Sequence, residues 1–197
     1  MSPRSQTQVE QASNEIKELF WRRGYDDTSI EDVVQATGLN RYSLYNEFGG
    51  KRELFLTALD VYCHERKSVF LSSLNDPDKP PMEAIRNMFE FSISEIAERG
   101  NGCLMCNVAR ERGGQDPVIS ERLQSYLEQI KYTHIDALER ARDRGELNPV
   151  VTPEQGAALL LAVKFGLGVH AKNGASREAM LDVFDTAMAL LTNVRAQ

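Results

Sequence analysis

Two short helical segments joined by the turn Gly38-Leu39-Asn40 constrain this chain more than any other feature; they occupy Thr28 to Leu54, TSIEDVVQATGLNRYSLYNEFGGKREL. Thr28-Ser-Ile-Glu31 reads as a capping box, in which hydroxyl and carboxylate satisfy the orphan amides of a helix start. Ile30, Val33, Val34 and Thr37 then recur at helical spacing, and Gly38 supplies the left-handed residue that ends the helix. Leu39 tucks under the turn, and Asn40 caps a second helix, Arg41 to Phe48. Leu44 and Phe48, four apart, face a core and leave Arg41, Tyr42, Ser43, Tyr45 and Asn46 mostly on the other side. Hydrogen-bonding side chains on the N-terminal half of such a helix suit a DNA major groove. Gly49-Gly50 breaks the helix, and Lys51 opens another whose free amides and positive charge suit a phosphate. The predicted DNA-contacting set is Thr28, Ser29, Asn40, Arg41, Tyr42, Ser43, Tyr45, Asn46 and Lys51. Within it Arg41 is the best base reader, because a guanidinium spans guanine O6 and N7; a phosphate contact is its alternative. Asn46 pairs with adenine in this reading and Tyr42 stacks on a thymine methyl or a sugar, with simple surface cover as the alternative for both; Glu47 balances Lys51 or Arg41, with acceptance from cytosine N4 as its alternative.

The order and spacing of Thr28, Ile30, Val33, Gly38, Leu39, Asn40, Leu44, Tyr45, Phe48, Lys51 and Leu54 resemble the TetR family of bacterial transcriptional regulators. The resemblance is specific over residues 10 to 60 and architectural beyond them. It implies a homodimeric, all-helical repressor that binds palindromic operator DNA and is released by a small-molecule effector. It also implies a phosphate-contacting role for Tyr45. Tyr42 stands where the family usually has a small residue, Glu47 where it has an aromatic or histidine, and Gly50 where it has a serine cap.

With 197 residues, 42% of them hydrophobic, the chain is long enough for a small domain and a larger one. The expected division is a helix-turn-helix DNA-binding domain at 1–55 and a helical effector-binding and dimerisation domain at 56–197. A net charge of −6 is the wrong sign for a protein that coats nucleic acid without specificity. Even between Arg4 and Glu53 seven basic side chains meet nine acidic ones, so positive charge is local and binding should be strongly salt-dependent. Arg4 lies in a polar N-terminal segment expected to fray. Three cysteines, an odd number at low density, read as cytosolic thiols. No run of 18 apolar residues and no signal-peptide core occurs, so a cytoplasmic protein with no membrane partner is expected.

Helical periodicity continues to the end of the chain without period-two alternation, so the fold class is all-α. Helices are predicted from Val9 to Arg23, Lys51 to about 74, Met82 to Arg99, Cys103 to Arg112, Pro117 to about 144, Pro153 to Lys172 and Arg177 to Val194. The last two are apolar on more faces than one chain can bury, with small residues permitting close approach. They predict a homodimer through residues 153–194, a four-helix bundle across a two-fold axis; two central core helices are the alternative.

Met88, Phe89, Ser92, Cys103, Cys106, Asn107, Tyr126, Ile130 and His134 fall on facing sides of the middle helices. The resemblance implies an effector pocket there, and large apolar side chains with a few polar ones suit a small, mostly apolar ligand. Cys103 and Cys106 form a C-x-x-C at a helix start with no preceding strand, which weakens the reading as an oxidoreductase. A helix N-terminus lowers a thiol pKa, so a thiol-based sensor of oxidants or electrophiles is the alternative trigger, against two thiols that only fill space. No set of four ligands at usual spacing is present, so neither metal nor cofactor is expected.

Overall fold

The computed structural model describes residues 3–76 and 78–193, with the side chains of residues 3–5, Arg4 among them, and Val194 outside the described residues. Among those residues the chain is helical, with no strand: α1 (Pro3–Arg23), α2 (Ile30–Thr37), α3 (Arg41–Phe48), α4 (Lys51–Leu74), α5 (Pro81–Arg99), α6 (Leu104–Arg112), α7 (Pro117–Asp143), α8 (Pro153–Lys172) and α9 (Arg177–Leu191). Two compact units result, one of residues 1–65 and 107–122, the other of 66–106 and 123–197. The expected boundary at 55/56 therefore lies inside α4 and before the point where the units divide. Residues 107–122, expected in the second domain, group with the first unit.

In the first unit α1 begins at Pro3, within the segment expected to fray. It presents Ile16, Leu19 and Phe20 to a core completed by Val33, Leu44, Leu54, Phe55 and Leu59. Phe55 stands edge-on to both Phe20 (5.1 Å) and Tyr25 (4.9 Å), and Trp21 is edge-on to Tyr62 (5.1 Å), so rings join α1, the α1–α2 turn and α4. Lys17 closes α1 against α4 through both Glu65 oxygens at 2.7 Å. The segment 107–122 is fixed by two bidentate pairs, Arg52 to Asp116 (2.8 and 3.1 Å) and Arg122 to Asp60 (2.8 and 3.1 Å).

The second unit is organised around α5, α8 and α9. Phe89 stacks on Phe184 at 4.5 Å, and Arg86 pairs with Asp185. Thr152 and Gln155 form a capping box that starts α8, and Ser176 caps α9. α9 ends at Leu191, short of the predicted Val194. Thr192 there bridges to Leu147, and Asn193 donates to the Glu146 carbonyl at 2.8 Å.

α8 divides into two stripes. Gly156, Ala157, Leu160, Leu167, Gly168 and Ala171 are buried within the unit. Ala158, Ala162, Gly166 and Val169 are exposed, with Phe165 half-buried among them. On α9, Ala179, Val183 and Leu190 are likewise exposed. The buried stripe uses its glycine for close approach: a Cβ at Gly168 would lie 3.0 Å from Cys103 Cβ and 3.2 Å from Cys106 Sγ. Gly168→Val should lower stability by about 1–3 kcal/mol through overpacking at these thiols, read as a shift of the urea midpoint without a change of slope.

Candidate nucleic-acid interface and effector-domain core

The turn between α2 and α3 is built as expected, with one cap moved by a residue. Ser29, not Thr28, is the N-cap of α2: its Oγ accepts from Asp32 N at 3.1 Å, and its own amide donates to Asp32 Oδ2 at 2.8 Å. Asp32 therefore replaces Glu31 in the capping box. These bonds, with Arg23 at 2.6 Å, hold the Asp32 carboxyl at a pKa of about 2. Thr28 is 1% exposed, and its hydroxyl donates to the Gly24 carbonyl at 2.7 Å, so it braces the α1–α2 turn instead of facing solvent. Gly38 ends α2 at φ 67°, a left-handed conformation that lets the chain reverse at once. Asn40 then caps α3, its Oδ1 accepting from Ser43 N at 2.9 Å.

The outer face of α3 carries the predicted side chains. Tyr42 is 78% exposed and Tyr45 49%; Arg41 and Asn46 are exposed beside them, Ser43 is half-buried and Leu44 is buried beneath. The partners of the cations differ from expectation. Arg41 pairs with Glu31 across the turn, not with Glu47. Lys51 donates to the Asp26 carbonyl at 3.2 Å and lies 4.7 Å over the Tyr25 ring. The α4 start is not left with all its amides free: Gly50 N donates to Glu53 Oε2 at 3.1 Å. The carboxylate stands where a phosphate oxygen was expected.

Two models of protein families match this architecture, "Bacterial regulatory proteins, tetR family" over residues 14–58 and "Tetracyclin repressor-like, C-terminal domain" over residues 81–192. The chain belongs to the TetR family. Similar proteins include YezE of Bacillus subtilis, named an uncharacterized HTH-type transcriptional regulator, 30% identical over 88% of this chain and 91% of its own. ComR of Escherichia coli, an HTH-type transcriptional repressor, is 28% identical over 91% of this chain and 86% of its own. Among solved structures, the TetR-family regulator CifR, as a cysteine mutant with a 26-bp double-strand operator DNA, superposes with a TM-score of 0.77. It is 25% identical and covers 90% of this chain and 94% of that one. This TetR-family chain is accordingly a helix-turn-helix transcriptional regulator, with α2 and α3 as the motif.

Most residues expected to bind an effector converge in the second unit, and they are core. Met88, Phe89, Cys103, Cys106, Tyr126, Ile130 and His134 are all buried, and Ser92 is half-buried. Asn107, also buried, belongs to the first unit and not with the others. The space beside them is a narrow cleft of about 10 Å³ lined by Lys67, Phe70, Tyr126, Gln129, Ile130 and Thr133. The two thiols are buried and do not lie at an open helix end. Cys103 precedes α6, and Cys106 is hydrogen-bonded to it; that bond and burial push the Cys106 thiol far above its ordinary pKa. Among the described residues no three His, Cys, Asp or Glu side chains form a metal-binding group, and no helix is long and apolar enough to cross a membrane.

Sequence reasoning missed Lys164. Its ammonium lies 4.3 Å over the Phe70 ring, and burial pulls its pKa down. The signal was available: it is the one charge in the apolar run from Gly156 to Val169. His134 is 0% exposed, bonded through Nδ1 to the Ile130 carbonyl at 2.7 Å, and burial lowers its pKa to about 4. The unfolded chain, with an ordinary pKa of 6.5, takes up that proton first. The stability that neutral His134 contributes is thus complete above pH 6.5 and lost progressively as pH falls toward 4. Unfolding free energies measured across this window should fall by up to about 3 kcal/mol, and most of the fall should vanish in His134→Leu.

Proposed function

We propose that the protein is a cytoplasmic homodimeric repressor that docks α3 in successive major grooves of a palindromic operator and is released by a small-molecule effector held in the second unit. The observation that carries this reading is the exposed Arg41, Tyr42, Tyr45 and Asn46 face on an eight-residue helix set by a tight turn. The CifR complex with operator DNA, whose chain superposes on this one, supports it. Arg41 and Asn46 read bases, while Tyr45 and Lys51 hold phosphates. Ser29 and Asn40 have side chains already engaged in caps, so they position α2 and α3 more than they read. Arg41 exchanges Glu31 for DNA, a small cost because both side chains are largely exposed. Arg41→Ala should cost about 1–3 kcal/mol and relax preference at one base pair. Lys51→Ala should weaken all sequences alike and lower the salt slope by about one. Both are measured by titrating a selected operator and its single-base variants at several salt concentrations; an unchanged specificity profile for Arg41→Ala removes it from the base-reading set.

The homodimer reading rests on the exposed stripes of α8 and α9, where Val169 is 53% exposed and Leu190 59%. Small residues at Ala158, Ala162 and Gly166 admit a second copy closely. Leu167 packs inside its own unit and is unsuitable as a probe of this surface. Ala162→Glu, on the outer stripe, should give a folded monomer in sedimentation that no longer binds operator; an unchanged dimer would place the interface elsewhere.

A further inference from the structure

Two polar groups in the second unit stand against the same aromatic ring, Phe70. His134 donates through Nδ1 to the Ile130 carbonyl, so the neutral ring presents a lone pair at Nε2, and that atom is buried without a hydrogen-bond partner. Buried acceptors are ordinarily satisfied, which makes this one informative. Lys164 is the complementary case, a cation whose ammonium lies over the Phe70 ring, with the Cys103 and Cys106 thiols and the Glu95 carboxylate within electrostatic range. Glu95, the nearby acid, is engaged by Arg66 through a bidentate pair and by Arg99 at 3.4 Å. The Phe70 ring connects the two groups, with the Lys164 ammonium over it at 4.3 Å and the His134 ring 6.1 Å from its centroid. Phe89 flanks His134 on another side at 5.9 Å. A narrow cleft is lined by Phe70, the ring both groups stand against, and by Ile130, whose carbonyl His134 binds.

We propose that Lys164 and His134 are the polar end of the effector site, and that the effector class is a small aromatic hydroxy acid. Its carboxylate oxygen takes the Lys164 ammonium, its hydroxyl donates to His134 Nε2, and its ring lies against Phe70 and Phe89. This rests on the reading of the second unit as an effector domain and narrows it to one ligand chemistry. A neutral apolar ligand would offer the ammonium no charge-assisted hydrogen bond, and an acid without a hydroxyl would leave Nε2 unpaired. The cleft is too narrow for such a ring as it stands, so binding includes a widening between α4 and α7 within this unit.

The test compares 3-hydroxybenzoate with 3-hydroxybenzyl alcohol, which keeps the ring and its phenolic hydroxyl but replaces the carboxylate with a neutral hydroxymethyl group. Calorimetry on the full chain should give at least about tenfold tighter binding of the acid. Lys164→Met, which keeps the stem, should abolish that preference, and Lys164→Arg should retain it; thermal unfolding checks that both variants are folded. Equal or tighter binding of the alcohol, no binding of the acid, or an undiminished preference in Lys164→Met overturns the proposal. Release of selected operator DNA, followed by fluorescence anisotropy in the same titrations, separates this from the broader reading. If the acid binds through Lys164 and the operator stays bound, the site stands and the effector reading fails. If other small molecules release the operator while the acid does not bind, the effector reading stands and this ligand class fails.

Discussion

An eight-residue helix has no stability of its own in water, and α3 buries fully only one side chain, Leu44. Everything that makes α3 a recognition element is therefore supplied from outside it. The edge-on contacts of Phe55 with Phe20 and Tyr25 tie the start of α4 to α1 and to the turn that leads into α2. The Ser29–Asp32 capping box and the Asn40 cap then fix the ends of α2 and α3. Loss of the ring cluster would leave the exposed face of α3 chemically intact and without a fixed direction. Two bidentate arginine pairs, to Asp116 and to Asp60, add the segment 107–122 to the same unit, so its rigidity draws on residues far from the motif in sequence.

Much of this was legible in the sequence because local signals carry it. The glycine at Gly38, the cap at Asn40 and the spacing of Leu44 with Phe48 are short-range features, and α2, α3 and the bounds of α4 follow from them. The Thr28 cap was misplaced because Thr, Ser, Glu and Asp at positions 28, 29, 31 and 32 allow two capping boxes one residue apart. The choice between them is tertiary: Thr28 has a carbonyl at Gly24 to satisfy, and Arg23 favours Asp32. The partners of Arg41 and Lys51 were likewise hidden, since Glu31 and Asp26 reach them only after the chain reverses. In the second unit the buried residues were found by periodicity, but periodicity does not tell a pocket from a core. Lys164 went unread because an amphipathic pattern assigns a lone lysine to solvent, whereas a long stem carries its ammonium over Phe70.

Charge distribution connects the two levels. A chain of net charge −6 has no general attraction for DNA, and Arg41 and Lys51 are held by a carboxylate, a carbonyl and a ring. Such contacts are exposed and weak, so in the proposed reading they are exchanged for phosphates and base edges where the geometry matches and retained where it does not. Specificity is favoured over bulk affinity by this arrangement.

The central claim is that α3 reads DNA from a two-fold symmetric dimer. Hydroxyl-radical footprinting, with methylation interference at guanine N7, on DNA selected from a random pool tests it most directly. The account predicts two protected half-sites related by a palindrome, about 34 Å apart, with interference at one guanine in each half that disappears in Arg41→Ala. A single asymmetric protected stretch, or protection with no preferred sequence, would contradict it.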